Sequence, residues 1–197
     1  MKPVTVITGR AIPLNRSDVD TDQIIPSDWL KRVERTGFGA GLFSEWRDDR
    51  DFVLNDERFQ GASILVAGPN FGTGSSREHA VWALMDYGFE AVISSRFADI
   101  FFSNCTKQGL LPVTIAPEKA SALLDAVTAD PSLEITIDVA RGTIEAPAIG
   151  MSATFALEPF TTERFLNGWD DIGLTLRNEQ DLTSFEAKRP AYLPTTA

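Results

Sequence analysis

The sequence has little of the two side chains that most often carry metal or redox chemistry, with one cysteine and one histidine in 197 residues. A single cysteine cannot form a disulfide within the chain, and it cannot supply the several thiolates that hold an iron–sulfur cluster. Cys105 lies in a helical pattern over residues 97–108. We therefore expect it to be a buried, unreactive side chain that behaves as a small hydrophobe.

Basic residues and long apolar runs are also scarce. The chain has 18 Lys and Arg against 28 Asp and Glu, a formal net charge of -10. This balance disfavours nucleic acid and anionic membranes as partners, because both require clustered positive charge. No apolar run has the length of a membrane span, and the N-terminus lacks the pattern of a secretory signal. Together with the single cysteine, these features predict a cytoplasmic protein, with residues 1–197 forming one domain.

Residues 68–79 join a buried-strand pattern to an amphipathic-helix pattern. The apolar run 62–67 predicts a short strand, and apolar side chains recur at helical spacing in residues 80–87. Ser75 and Ser76 are therefore expected at or near the helix N-cap. Free backbone N–H groups and the positive end of a helix dipole at such a position can hold an anion.

Other residues of this loop suit the same role. Arg77 offers a planar fork of donors for a carboxylate, and Gly72 and Gly74 allow close approach of the backbone. The sequence is neither a P-loop nor a nucleophile elbow. From these residues alone, an anion-binding loop and two serines that merely cap a helix are both open interpretations.

The rest of the chain predicts an α/β fold with a mixed, partly parallel sheet flanked by helices. Each of the expected strands 91–95 and 111–115 follows a helical stretch, which predicts two βαβ-like crossovers. Residues 35–50 have no clean periodicity and predict a long, functional or mobile loop, and residues 189–194 predict an extended tail. Further strands are expected at 4–8, 11–14, 133–139, 143–146 and 153–157, and helices at 27–33, 97–108, 117–130, 161–168 and 169–185.

Gly-Ser-Ser-Arg-Glu-His at residues 74–79 resembles the signature of the swivel domain of the aconitase superfamily. The similarity covers nearly the whole chain, through residues 18–26, 36–47, 95–105, 109–112 and 167–176. Within that superfamily the chain resembles the small subunits of bacterial 3-isopropylmalate dehydratases. The resemblance implies a swivelling β/β/α fold.

The resemblance also implies a reaction and a partner. These hydro-lyases interconvert 2-isopropylmalate and 3-isopropylmalate through isopropylmaleate in leucine biosynthesis. A [4Fe-4S] cluster acts as a Lewis acid on the substrate hydroxyl, and a serine alkoxide accepts the proton. Because this chain has one cysteine, the resemblance implies that a large subunit supplies the cluster and that this chain alone binds no metal.

Matched residue by residue, the family pattern makes Ser75 the catalytic base and Asp22 an active-site aspartate. Gly74, Ser76 and Arg77 would bind the carboxylate of a small dicarboxylate substrate. For Asp22, a structural role is an equally open interpretation, because Asp18, Asp20 and Asp22 at alternate positions can also stabilise a turn or suggest a cation site. His79 can be a general base or a helix residue that hydrogen-bonds a neighbouring loop; the structural role is favoured.

Residues 31–43 occupy the place where relatives select their substrate. Val33, Phe38 and Leu42 offer apolar contacts for an isopropyl group, but Arg32 and Arg35 are also present. A related dehydratase subunit for homoaconitate, citramalate or dimethylmalate is therefore an alternative. A non-catalytic anion-binding or assembly domain is the alternative outside enzymes.

Overall fold

The strands form one mixed sheet at the centre of the molecule. A computed structural model describes residues 1–31, 36–190 and 192. The strands are β1 (Val6–Leu14), β2 (Ile64–Ala67), β3 (Ala91–Ser94), β4 (Leu111–Thr114), β5 (Glu134–Asp138), β6 (Thr143–Ala146) and β7 (Met151–Thr154). Their order in the seven-stranded sheet is β4-β3-β2-β1-β5-β6-β7.

The half of the sheet from β1 to β4 is parallel. Ile64 of β2 pairs with Ala11 of β1 on one side and with Ala91 of β3 on the other. Every residue of β2 and β3 is buried, as expected for parallel strands that are covered on both faces. The partly parallel sheet predicted from the two crossovers is confirmed.

The other half of the sheet is antiparallel. β5 pairs with β1, and β5 and β6 form the expected hairpin, in which Ile137 faces Ile144. β7 pairs with β6 and begins two residues before the strand expected from residue 153. Because Gly150 has a φ of 61°, the chain turns back early enough for Met151 to pair with Ala146.

The helices cover the sheet. α2 and α3 form the two crossovers, and α4 contacts β1, β2 and β3. The α-helices are α1 (Thr21–Ile24), α2 (Glu78–Tyr87), α3 (Asp99–Gln108), α4 (Pro117–Ala129), α5 (Pro159–Asn167), α6 (Asp171–Leu176) and α7 (Glu179–Ala187), and the 3-10 helices are Ser27–Lys31, Phe38–Gly41, Val53–Asn55, Glu57–Phe59 and Pro147–Ile149. Within the described part of the chain, no helix is long and apolar enough to cross a membrane.

β1 differs from the expectation of two separate strands. Gly9 and Arg10 lie between the two strands predicted at 4–8 and 11–14, but both are paired, Gly9 with Ile135 and Arg10 with Glu134. The next residue, Ala11, pairs with Ile64 on the opposite side. The strand is continuous because its first half joins the antiparallel strands and its second half joins the parallel ones.

The irregular segment 36–50 is packed against the core. Phe38, Leu42 and Phe43 are fully buried, and Phe43 stacks on Trp46 with ring centroids 5.3 Å apart. The segment lacks long regular elements, as expected, but these aromatic contacts anchor its described part. Of the tail expected over residues 189–194, positions 191, 193 and 194 lie outside the described residues.

Candidate functional site

The loop after β2 lies beside the segment that follows β1. The Gly72 N–H donates to the Val19 carbonyl at 2.8 Å, and the Thr21 N–H donates to the Thr73 carbonyl at 2.8 Å. Because β1 and β2 are parallel neighbours, their carboxyl ends meet at one edge of the sheet. This edge brings the two sequence motifs together.

Asp22 and Arg77 form an ion pair across this junction. The Arg77 Nη1 donates to a carboxylate oxygen of Asp22. The Arg77 side chain is 18% exposed and that of Asp22 is 55% exposed. The structure therefore places these two predicted site residues in direct contact, on a surface that solvent reaches.

Ser75 and Ser76 lie just before the N-cap of α2, as expected, but neither side chain caps the helix. α2 begins at Glu78, its N-cap is Arg77, and no side chain makes a capping hydrogen bond. Gly72 and Gly74, with φ of 80° and 85°, turn the chain toward residues 18–21 before the helix can begin. Both serines are exposed, and among the described residues neither hydroxyl has a hydrogen-bond partner.

Gly72 is required by packing as well as by its backbone angle. A Cβ at this position would lie 2.6 Å from the Phe101 Cβ, closer than carbon atoms can approach. At Gly74 a Cβ would meet the Asp20 Cβ at 3.4 Å, an ordinary contact. The missing side chain at Gly72 therefore allows the loop to pack on α3, whereas Gly74 only allows the positive φ of the turn.

Asp18 and Asp20 have local structural roles. The Asp20 carboxylate accepts from the Gln23 N–H at 2.8 Å, and the Gln23 Oε1 accepts from the Asp20 N–H at 3.0 Å, a capping box for α1. Asp18 accepts from the Asn70 side-chain amide at 2.6 Å. Among the residues described, no group of three or more His, Cys, Asp or Glu side chains could hold a metal ion. The turn interpretation is confirmed for Asp18 and Asp20, and Asp22 alone faces Arg77.

Two of the residues expected to contact an isopropyl group are buried. Phe38 and Leu42 are both 0% exposed, and Phe38 packs edge-on to His79 with ring centroids 5.3 Å apart. Val33, with Arg32 and Arg35, lies outside the described residues. Contact between substrate and Phe38 or Leu42 stays a prediction that requires this segment to move.

His79 and Cys105 are packing residues. The His79 ring lies 4.6 Å from the Trp82 ring and 5.3 Å from Phe38, which supports the structural role over that of a base. Cys105 is fully buried, and burial raises the pKa of its thiol well above the usual value. The expected buried cysteine is confirmed.

Thr21 was not singled out from the sequence. It is 2% exposed, and its Oγ1 donates to the Ser75 carbonyl at 2.9 Å. The sequence feature that could have indicated Thr21 is its position as a hydroxyl residue between two aspartates of the upstream motif. Nothing in the sequence indicates that its partner lies fifty-four positions away.

The candidate site is an open edge, not an enclosed cavity. A cavity of about 480 Å³ opens nearby at the carboxyl ends of β1 to β3, lined by Asn15, Gly68, Pro69 and Arg96 among others. Another of about 530 Å³ is lined by the N-terminal residues 1–7. Ser75, Ser76 and Arg77 line neither of these two.

Comparison with known proteins gives two family matches. The aconitase C-terminal domain matches residues 1–118. The C-terminal domain of the 3-isopropylmalate dehydratase small subunit matches residues 171–197.

Two full-length relatives share the same name. The 3-isopropylmalate dehydratase small subunit of Parafrankia sp. (strain EAN1pec) is 65% identical over 198 residues, covering 100% of both chains. That of Rubrobacter xylanophilus is 57% identical over 194 residues, covering 98% of each. The crystal structure of 3-isopropylmalate dehydratase from Methanocaldococcus jannaschii aligns with a TM-score of 0.69 at 25% identity, covering 91% of this chain and 98% of that one.

Proposed function

Because this chain belongs to the family of 3-isopropylmalate dehydratase small subunits, we propose that it works as one chain of a two-chain hydro-lyase. The enzyme interconverts 2-isopropylmalate and 3-isopropylmalate through isopropylmaleate, a step of leucine biosynthesis. The relatives confirm the family indicated by the motifs, and the mixed sheet with flanking helices confirms the α/β fold class.

One observation carries the site assignment: exposed Ser75 and Ser76 lie on the same short loop as Arg77, which is paired with Asp22 from the other motif. A base, a cation and an acid thus share one edge of the sheet. Of these four side chains, those of Arg77 and Asp22 hold each other through the ion pair, and the two serine hydroxyls point to no partner among the described residues.

Ser75 is the proposed proton acceptor. A serine hydroxyl is far too weak an acid to ionise near neutrality unless its surroundings favour the oxyanion. Arg77 follows two positions after Ser75 in the chain, and α2 begins at Glu78, so a guanidinium and the positive end of a helix dipole belong to the same loop as the hydroxyl. Excluding water from this edge would strengthen both effects.

Arg77 is the proposed clamp for a substrate carboxylate, with Ser76 and Gly74 adding contacts on the exposed side. The guanidinium has five N–H donors in a planar fork, and one of them, on Nη1, is hydrogen-bonded to Asp22. Other donors can therefore hold the carboxylate while Asp22 keeps the side chain in place. Asp22 is thus both a partner of Arg77 and an acid available to the proton network.

The [4Fe-4S] cluster of this family, when bound, supplies a Lewis acid to the substrate hydroxyl. The residues of this chain do not fit as its ligands, because the one cysteine is fully buried. We assign the cluster to the large subunit, which would also cover the open edge.

The substrate is a small dicarboxylate, and the charge of -10 favours neither nucleic acid nor membrane as a further partner. The cytoplasm is the proposed location.

The test is anaerobic co-expression with a cluster-bearing large subunit, followed by an assay of 2-isopropylmalate dehydration through the absorbance of isopropylmaleate. We expect activity only when both chains are present. Ser75→Ala should lower turnover by about 10² to 10⁴-fold without loss of assembly. Ser152→Ala, an exposed serine on β7, is the matched control and should leave turnover unchanged.

Other outcomes decide between the alternatives. Full activity of Ser75→Ala would overturn the base assignment. A complex inactive on isopropylmalate but active on homoaconitate, citramalate or dimethylmalate would move the chain to a related dehydratase. An assembled, cluster-loaded complex that acts on none of these acids would indicate a non-catalytic assembly domain.

A further inference from the structure

We infer that Thr21 is a positioning residue that sets the orientation of the Ser75–Ser76 peptide. The inference rests on the proposed function of the loop, because it concerns how the loop presents its serines. Thr21 is 2% exposed, so its hydroxyl faces the protein and cannot reach a substrate.

Thr21 binds two positions of the loop at once. Its backbone N–H donates to the Thr73 carbonyl at 2.8 Å, and its Oγ1 donates to the Ser75 carbonyl at 2.9 Å. The first bond continues the backbone pairing between the two segments, in which Asp20 and Thr73 form a parallel bridge. The second depends on the side chain and lies beyond that bridge.

The hydroxyl bond has little support from elsewhere. Among the described residues it is the one hydrogen bond that involves positions 74–76. Gly74, with a φ of 85°, has no side chain to restrict the turn before Ser75. Without the Thr21 hydroxyl, the Ser75 carbonyl would have no partner inside the protein, and the peptide would be free to rotate toward water.

Fixing this carbonyl also fixes an N–H group. In a planar trans peptide the C=O and the following N–H point in opposite directions. Since the Ser75 carbonyl points at the buried Thr21 hydroxyl, the Ser76 N–H points away from it, toward the side on which both serines are exposed. In the described part of the chain this N–H has no acceptor. It is therefore a preset donor for an anionic group of the substrate.

The experiment compares Thr21→Val, which keeps the side-chain shape and removes the donor, with Thr21→Ser, which keeps the donor. Both are assembled with the large subunit, and kcat and KM are expressed per assembled, cluster-loaded complex. We expect Thr21→Val to lower kcat/KM by about 10 to 100-fold, since small misplacements of reacting groups have effects of this size. Thr21→Ser should recover the value to within about threefold of the parent.

Thr128→Val is the matched control. The Thr128 Oγ1 also donates to a backbone carbonyl, that of Leu124, at 2.7 Å, but within α4 and not to the loop. A merely structural role of Thr21 would lower the yield of complex and leave kcat/KM per complex unchanged, as in this control. That result, or equal losses in Thr21→Val and Thr21→Ser, would overturn the inference.

Two further variants keep the test decisive. If Thr21→Val does not assemble, Thr21→Ala takes its place, because alanine also removes the side-chain donor; parental kcat/KM in that variant would also overturn the inference. Ser75→Ala is measured in parallel. Its full activity would refute the proposed site itself, whereas an inactive Ser75→Ala with a fully active Thr21→Val would refute only the role of Thr21.

Discussion

Gly72→Ala is the substitution whose effect can be worked out most directly from the structure. Gly72 has a φ of 80°, and a Cβ there would lie 2.6 Å from the Phe101 Cβ. Phe101 belongs to α3 and is buried at 2% exposure. It also packs against Phe71 with ring centroids 5.3 Å apart, so its ring has little room to move aside.

Two costs add at this position. An alanine held in the left-handed region loses about 1 to 2 kcal/mol relative to glycine. Forcing one extra carbon into a packed core costs about 1 to 3 kcal/mol more. We therefore expect Gly72→Ala to lower the free energy of unfolding by about 2 to 5 kcal/mol.

Gly150→Ala separates the two costs. Gly150 has a φ of 61°, and no atom lies within 4 Å of the position that its Cβ would take. Only the backbone cost of about 1 to 2 kcal/mol applies there. Urea denaturation of the chain and both variants, followed by tryptophan fluorescence, measures the difference. Equal losses of stability in the two variants would refute the packing argument at Gly72.

Two other predictions concern the ion pair and the buried thiol. Asp22→Asn should lower turnover of the assembled enzyme by about tenfold or more. It should change stability little, since ion pairs at the surface contribute about 0 to 1 kcal/mol. Asp56→Asn, which breaks the pair with Arg58, is the control and should leave turnover unchanged; equal effects of the two variants on turnover would contradict a role for Asp22. Burial raises the pKa of the Cys105 thiol above the ordinary 9.0, so the neutral thiol stabilises the fold below that pH and this contribution is lost as the pH rises above it. A disulfide reagent at pH 8 should therefore label Cys105 only after denaturant is added, and rapid labelling of the folded chain would contradict its burial.

The local patterns of the sequence predicted the regular core well. The apolar runs that became β2, β3 and β4 are short and contain β-branched residues, and the run of β2 lies between Gly61 and Gly68, a pattern typical of buried strands. Pro117 begins α4, as its fixed φ favours the first turn of a helix. The βαβ repetition followed from the order of these elements alone.

Where the sequence misled, a contact with a distant residue overrode a local preference. Gly9 weakens a strand locally, yet it lies within β1 because β5 pairs with it. Ser75 and Ser76 lie near the helix N-cap, as predicted, but of the two interpretations left open the capping role does not hold, because the helix begins at Glu78 and the Ser75 carbonyl is bound by Thr21. Phe38 and Leu42 are buried in the core, and their contact with the substrate stays a prediction.

By itself, the sequence determined the fold class and the family, and it supplied the proposed site residues, because periodicity and motif identity are properties of neighbouring positions. The tertiary structure decided which of those residues meet. The pairing of Asp22 with Arg77 and the bond from Thr21 to Ser75 each join positions more than fifty apart. The parallel packing of β1 beside β2 brings these residues to one edge of the sheet, and no local sequence pattern predicts which residues of two loops will be in contact there.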